Sequence, residues 1–455
     1  MKPLSKKMTS IAMIMALFVA AGCSSTKESN SAQSTNTASS QPTASAAATA
    51  KPKEKVIVNF AYPSFASAAS AWDSAVGIAN KQLESKNIEI KINKIPLDSW
   101  SVYYQKVISQ IAAGDSPDIG RVAEGLFPKL IENGQVVDIS DVVAKLDKTK
   151  YFENALHGSA VKDGKTYGVP SGIYNTFVYI NKDLFDKAKI EYPSIDWNNP
   201  ITMTKLVEEA KALTSGDGAN KSWGFWTSLE SGHLDEFLKG GGKGLYDDKG
   251  ISELSDPANK KVLSYFDQMM RVDKSMPQAT DTKVMGATDL FKAGKLAILV
   301  NGSWFFNEAK AVKFKVGLAA MPSEAGKGSS MGFLDGWAVF KGAKHEAEAK
   351  EAILALSSKE VNDFLSTTGE AGGPVVKSSL EDNKSKILGA PFIDSDISTY
   401  LGSLGNLVKS PYTTNQDDWT PKYNSAVEQF SLGKLSVDQF TAQADDIINK
   451  GNAAK

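Results

Sequence analysis

Five tryptophans in this sequence stand beside turns or beside acidic and amide residues. They are Trp223, Trp226, Trp304, Trp337 and Trp419. An aromatic ring covers the apolar face of a sugar ring at little entropic cost, and nearby carboxylates and amides accept hydrogen bonds from its hydroxyls. A carbohydrate-binding site would therefore show tryptophans of this kind, and among these five Trp226 is favoured over Trp223 as a candidate contact. The alternative for each tryptophan is core packing, because large aromatic side chains are usually buried.

Hydrolysis of a carbohydrate requires a different constellation, a carboxylic acid of raised pKa and a second carboxylate at a fixed separation. With 52 acidic residues, neighbours such as Asp417 and Asp418 arise by chance. The three histidines, His157, His233 and His345, are scattered, and there is no G-x-S-x-G motif or phosphate-binding loop. We therefore predict a binding protein without cofactor or metal, and keep a cell-surface carbohydrate hydrolase as the alternative.

The length, net charge and arginine content of the chain limit the kinds of partner that it can bind. A chain of 455 residues is long enough for two domains, and its formal net charge of −1 argues against a nucleic-acid partner. Arg121 and Arg271 are the only arginines among 51 basic residues, which disfavours a ligand recognised mainly by negative charge. A ferric-iron binder would need clustered tyrosines and acids; we interpret the Tyr103-Tyr104 pair, on a predicted helix, as structural.

The first 53 residues are typical of export and anchoring. Three lysines precede an apolar run from Ile11 to Ala21, which predicts a signal peptide over residues 1–22. Cys23, the only cysteine, ends a run Ala20-Ala21-Gly22-Cys23 that resembles the bacterial lipobox, although that motif usually begins with Leu. We predict a lipid-modified, palmitate-bearing Cys23 and a flexible polar linker to residue 53. This anchor suits the outer face of a Gram-positive cell membrane.

The folded part opens with a β-α-β-α-β rhythm. Alternating apolar residues predict strands from residues 56 and 88, helices over about 67–85 and after Asp98-Ser99, and a third strand after Pro117. The rhythm predicts a parallel sheet in an α/β fold, whose ligands sit beyond the carboxyl ends of the strands. Phe65 and the segment 120–125 lie at such ends.

The stretch from Asp163 to Asp186 predicts a passage between two lobes. An extended piece ends at Gly168-Val169-Pro170, Ser171-Gly172 breaks the pattern, and a β-rich run follows over residues 176–180 before a short amphipathic helix. Two strands separated by a Pro/Gly break, with no helix between them, suit a chain that crosses from one lobe to the other.

These motifs resemble the family 1 extracellular solute-binding proteins of ATP-driven (ABC) importers, of the maltodextrin-binding type. The matching runs are GKTYGVP, VYINKDLFDKAKI, the F-x-x-G segment that ends in Asn301-Gly302-Ser303-Trp304, and GFLDGWAVF over residues 332–340. The resemblance extends from about Val56 to the C-terminus. It implies an α/β, two-lobed fold like the type II periplasmic binding proteins, with ligand in the cleft between the lobes.

The resemblance also implies the lobe boundaries and the partners. We expect residues 54–173 and 335–394 in lobe 1, residues 174–334 and 395–455 in lobe 2, and hinges near 171–174, 331–335 and 388–395. The implied partners are a sugar or oligosaccharide and the permease of an ABC importer, and the binding protein is expected to be a monomer.

The ligand contacts implied by the resemblance are Trp304, at the family's stacking tryptophan, Trp419, Trp337, Asp335 and Glu124. A carboxylate at the N-terminus of a helix also complements the helix dipole, and this interpretation of Glu124 stays open. Tyr174 stands where maltodextrin binders have a sugar-contacting carboxylate, so the identity of the sugar is left open. Trp226 and Phe65 complete the set of candidate contacts.

Overall fold

The computed structural model describes residues 54–64, 69–96, 100–152, 160–241, 243–247, 249–368, 372–409, 413 and 415–453. The predicted signal peptide, Cys23, the linker and Phe65 lie outside the described residues. What the sequence indicates for them stays a prediction.

Three parallel strands confirm the predicted β-α-β-α-β rhythm. Strand β1 (Val56–Ser64) pairs in parallel with β2 (Ile88–Pro96) on one side and with β3 (Ile119–Val122) on the other. The helices Ala69–Leu83 and Trp100–Ala112 connect them. Since Val58 and Phe60 alternate along β1 and are both fully buried, this strand is covered by the packed helices.

Four further short strands, all C-terminal to residue 222, complete the main sheet. A small hairpin of β4 (Val161–Lys162) and β5 (Lys165–Thr166) precedes them. Strands β7 (Trp223–Trp226) and β8 (Leu296–Gly302) run parallel, and β9 (Val316–Ala319) and β11 (Leu407–Lys409) follow.

Two long strands, β6 (Val169–Asn181) and β10 (Ser330–Val339), join the strands β1–β3 to the strands β7–β9. The first part of β6 pairs antiparallel with β10, and its second part pairs antiparallel with β8 and β9. The far end of β10 pairs with β3, and its beginning pairs with β11. The sheet order is thus β2-β1-β3-β10-β6-β8-β7, so β6 and β10 are the chain's crossing strands.

The predicted break at Ser171-Gly172 is wrong, because β6 is continuous there. Gly172 pairs with Asp335 and Pro170 pairs with Gly336, so the register shifts around Ser171. This is a β-bulge, which bends a strand without ending it. It also accommodates Pro170, which has no N–H to give to a ladder.

The remaining helices pack on the two faces of these strands. The helix that begins at Met203 is capped by the Thr202 hydroxyl, which accepts from Lys205 N–H at 3.1 Å. The helices are Phe127–Glu132, Ser140–Ala144, Lys182–Ala188, Met203–Leu213, Ser231–Gly240, Pro257–Asp267, Ala279–Val284, Ala287–Lys292, Phe306–Lys310, Glu346–Leu356, Lys359–Thr368, Lys377–Leu388, Asp394–Leu404, Gln416–Ser431 and Val437–Ala453.

The apolar core has separate clusters on the two sides of the crossing strands. One is built around β1, β2 and the helix Ala69–Leu83, and the largest is built around β7, β8, β9 and the C-terminal helices. Leu380, Leu388 and Phe392 pack in the largest cluster, although the sequence analysis assigned them to lobe 1. The helix Lys377–Leu388 also packs against the helix Lys359–Thr368, where Asn383 donates to Asp363 at 3.2 Å, so the lobe boundary in this region stays a prediction.

Candidate functional site

Four rings meet beside the paired segments of β6 and β10, and we call them the aromatic cluster: Tyr174, His233, Trp304 and Phe333. The centroid of the Trp304 ring lies 6.5 Å from Tyr174, 6.2 Å from His233 and 5.8 Å from Phe333. Tyr174 and Phe333 are register partners on the crossing strands, which fixes their place side by side. Trp304 is 37% exposed, so this large ring faces solvent in the middle of the molecule.

The Asn-Gly-Ser-Trp run explains how Trp304 takes this position. The indole ring folds back over Gly302, and a Cβ atom at residue 302 would lie only 2.1 Å from the ring. Any side chain at that position would push the ring away. Glycine is therefore required for the close approach of backbone and indole.

The buried side chain of Arg121 lies beside the aromatic cluster and is bound to one of its residues, Tyr174. Arg121 of β3 forms an ion pair with Asp335 of β10, with 2.5 Å between Nη2 and Oδ2, and also donates to the Tyr174 hydroxyl. The guanidinium lies within 5.5 Å of the ring centroids of Trp72, Trp100 and Tyr174. Burial lowers the pKa of Arg121, but Tyr174 and Asp335 raise it by more, so the guanidinium stays charged.

Two predicted carboxylate contacts are therefore occupied by the protein itself. Asp335 is buried against Arg121. Glu124 is buried as well, and its Oε2 accepts from Leu334 N–H of β10 at 2.9 Å. The structure places both carboxylates where they hold the crossing strand, and their roles as ligand contacts stay predictions.

Trp226 lies at the carboxyl end of β7, in a cavity of about 280 Å³. The cavity lies between the segment that follows β7 and the helix Gln416–Ser431, and polar and apolar side chains share its lining. Its lining includes Trp226, Glu230, Met270, Gln278, Thr282 and Asn424. The segment that begins at Trp226 in this cavity continues to His233 in the aromatic cluster.

Two other predicted tryptophans lie in the interior. Trp337 is 1% exposed and packs edge-on against Phe60 and Trp72. Trp419 is also 1% exposed; it packs against Tyr423, and its Nε1–H donates to Asn452. The structure does not bring either ring to the aromatic cluster. Their placement favours the alternative interpretation, core packing.

Sequence reasoning missed three residues at the site. His233 and Phe333 complete the aromatic cluster, and the half-buried Trp100 stacks on Tyr104 beside Arg121. Trp100 follows the end of β2, so the rule on carboxyl ends of strands could have found it. No comparable signal marks His233 or Phe333, because their positions depend on the register of β10 and on the packing of the helix Ser231–Gly240.

The part of the chain that the structure describes contains neither clustered metal ligands nor a helix that could span a membrane. There, no three His, Cys, Asp or Glu side chains are grouped so that they could hold a metal ion. No described helix has both the length and the apolar character needed to cross a membrane.

Comparisons with known proteins agree on one family. The model of a bacterial extracellular solute-binding protein family matches residues 79–390. The diacetylchitobiose binding protein DasA of Streptomyces coelicolor is 24% identical over 68% of this chain and 73% of its own length. The maltodextrin-binding protein MdxE of Bacillus subtilis is 26% identical over 55% of this chain and 59% of its own length.

A solved structure shows the same fold. The ABC substrate-binding protein Lmo0181 of Listeria monocytogenes, in complex with cycloalternan, superposes with a TM-score of 0.77. It is 23% identical, and the match covers 88% of this chain and all of the other. The likeness confirms the predicted two-lobed α/β fold of the type II periplasmic binding proteins.

Replacement of each of three tryptophans by alanine should lower the free energy of unfolding by different amounts. Trp337→Ala and Trp419→Ala each remove a buried ring, and we expect each to lower the free energy of unfolding by about 3–5 kcal/mol. Trp304→Ala removes a partly exposed ring and should cost less than about 1 kcal/mol. Urea denaturation followed by circular dichroism measures all three. An equal loss for Trp304→Ala would make Trp304 a core residue and remove the cluster as a candidate site.

Proposed function

Since this chain belongs to the bacterial extracellular solute-binding proteins, we propose that it binds a sugar or oligosaccharide at the aromatic cluster and delivers it to an ABC importer. The observation that carries the proposal is the exposed Trp304 ring, set among three other rings where the crossing strands meet. Such rings cover the apolar faces of a sugar. DasA and Lmo0181, whose names or complexes include oligosaccharides, support the same class of ligand.

The cavity beside Trp226 supports a ligand longer than one sugar unit. The segment 226–233 joins it to the aromatic cluster along the chain, and its lining offers amide, hydroxyl and carboxylate groups that can bind hydroxyls. We propose that one sugar unit stacks on Trp304 and that a neighbouring unit reaches toward Trp226. Trp100, on the side of β2, is suited to cover the ligand from lobe 1.

The proposed cycle needs closure of the lobes and no chemistry on the sugar. The strands β6 and β10 are the connections about which the lobes would close, and ligand would favour the closed form through its greater affinity for it. The relatives are binding proteins and not enzymes, and this supports the same role here. The closed form would then be recognised by the permease.

We further propose that the protein is held at the cell surface by lipid on Cys23. This proposal is supported by the charged and apolar N-terminal run, by the small residues before Cys23 and by the absence of any other cysteine in the sequence. Two acyl chains give stable anchoring where one does not. A polar linker of about thirty residues would let the folded part reach a permease in the same membrane.

The proposal is tested by a panel of sugars: maltotriose, N,N′-diacetylchitobiose, cycloalternan and mannotriose. We expect at least one to raise the unfolding temperature, because a ligand at 100 times its Kd stabilises the folded state by about 2.7 kcal/mol. The same incubations, analysed by chromatography, should contain no shortened sugar. Turnover that is lost when one carboxylate is replaced would instead support a hydrolase.

Removal of the exposed indole should weaken binding of the best sugar in the panel. We expect Trp304→Ala to raise the Kd by at least about tenfold, equivalent to about 1.4 kcal/mol, because the stacking surface is lost. Isothermal titration calorimetry gives the Kd. Tyr192→Ala is the matched control, since Tyr192 is an aromatic residue that is 44% exposed outside the cluster. Unchanged affinity of Trp304→Ala would contradict the proposed site.

Anchoring is tested in growing cells of a Gram-positive host. Replacement of Cys23 by serine removes the sulfur that would carry the diacylglyceryl group, and we expect the protein to move from the membrane fraction to the medium. Immunoblots of the two fractions measure this, with Ser24→Ala as the control. Retention of the Cys23→Ser variant in the membrane fraction would contradict lipid anchoring.

A further inference from the structure

An acid and a histidine lie one turn apart on the helix that faces the crossing strands. His233 and Glu236 belong to the helix Ser231–Gly240, and His233 Nδ1 lies 3.5 Å from Glu236 Oε1. The His233 side chain is 19% exposed, whereas the Glu236 side chain is fully buried. The histidine is therefore the outer member of the pair and Glu236 the inner one.

The other oxygen of Glu236 is bound to both crossing strands. Oε2 accepts from the Thr176 hydroxyl of β6 and from Met331 N–H of β10, the latter at 3.1 Å. Through this one oxygen, Glu236 joins β6 to β10. A buried carboxylate needs a nearby positive charge. Among the described residues, His233 supplies the basic group within 4.0 Å of Glu236.

The surroundings of His233 favour its charged form. Burial lowers the pKa of His233, but the nearby carboxylate of Glu236, together with the charge of Glu230, raises it by more, and the net change is upward. The other elements packed against the imidazole contribute Trp304 and Phe333, whose rings do not titrate. The two glutamates are thus the charged groups that face it.

The second ring nitrogen of His233 is free to serve a ligand. No described side chain or backbone group hydrogen-bonds to Nε2, while the ring contacts Trp304 at 6.2 Å and Phe333 at 6.1 Å between centroids. Because Nδ1 is the ring nitrogen near Glu236, Nε2 lies on the opposite side of the ring, and in the protonated form it carries an N–H. A hydrogen-bond donor therefore lies beside the rings on which we place the sugar.

We propose that His233, held by Glu236, contacts the sugar and donates from Nε2 to one of its hydroxyl or ring oxygens. The inference rests on the proposed function and adds to it a specificity-determining residue, with Glu236 as its positioning residue. Because the donor is an imidazolium, affinity should be greatest at low pH and fall as pH rises through the raised pKa of His233. Above it, neutral His233 keeps its Nδ1–H for Glu236 and leaves Nε2 without a proton.

The pair also links the ligand to the crossing strands. A sugar that holds His233 in place fixes Glu236, and Glu236 is bonded to β6 and β10 at once. Ligand binding would then stabilise, through His233 and Glu236, the arrangement of β6 and β10 in the closed form of the protein. Glu236→Gln keeps an acceptor for Thr176 and Met331 but removes the carboxylate that raises the pKa of His233.

The experiment uses the full chain, with histidine labelled with ¹⁵N and ¹³C. Only three histidines must be assigned, and His233→Gln and His345→Gln identify two of them. We expect the His233 signal to titrate above the ordinary histidine pKa, and Glu236→Gln to lower that pKa. Calorimetry at pH 5.5 and pH 8.5 is run in parallel with maltotriose, N,N′-diacetylchitobiose, cycloalternan and mannotriose.

For any of these sugars that binds, we expect the wild-type Kd to rise by about fivefold to tenfold between the two pH values, as for loss of a charge-assisted hydrogen bond. His233→Gln should bind about as weakly at both, and His345→Gln should follow the wild type. Equal affinity of His233→Gln and the wild type at pH 5.5, or an unshifted titration of His233, overturns the inference alone. If none of the four sugars binds the wild type at either pH, the proposed function fails and this inference fails with it.

Discussion

The antiparallel register between β6 and β10 is the constraint on which the site depends. It sets Tyr174 opposite Phe333 and Gly172 opposite Asp335. Because side chains alternate along a strand, a slip of one residue would turn these groups to the other face and separate Tyr174 from Arg121. The hydrogen bonds of Glu124 and Glu236 to backbone groups of β10 fix the same register from the two sides.

Both arginines of this protein are held by partners within the chain. Arg121 is paired with Asp335 and lies against three aromatic rings, and Arg271 is paired with Asp267 and donates to the Leu435 carbonyl at 3.0 Å. Both arginines of the chain thus have structural partners. An ion pair in the interior is costly to desolvate and strongly destabilising to break, so it specifies one arrangement of its strands. A neutral ligand is consistent with a site whose strongest cation is already neutralised.

Much of the fold could be predicted from the sequence, because local patterns carry it. The alternation of Val58 and Phe60 marks a strand, and Thr202 caps the helix that follows it. The order of family-like motifs predicted the lobes and the exposed Trp304. One of those motifs, Asn-Gly-Ser-Trp, also contains a glycine that the structure requires, because the indole of Trp304 packs over Gly302.

Tertiary packing decided what the sequence could not. Trp337 and Trp304 each stand within two residues of a glycine, yet the helix Ala69–Leu83 and β1 cover Trp337, whereas Trp304 stays partly exposed. The partners of Asp335 are set by strands far apart in sequence, so its burial against Arg121 had no local signal. The bulge at Ser171 looks like a chain break in a linear pattern, because proline and glycine serve both purposes.

The contact between Gly302 and Trp304 has a consequence for affinity. Since the indole rests on its own backbone, its rotamer is restricted before any sugar arrives, and little side-chain entropy remains to be lost on association. The stacking platform is in this sense preorganised. Residue 302 can therefore govern how tightly a guest is held without ever touching it, since its lack of a side chain decides where the platform lies.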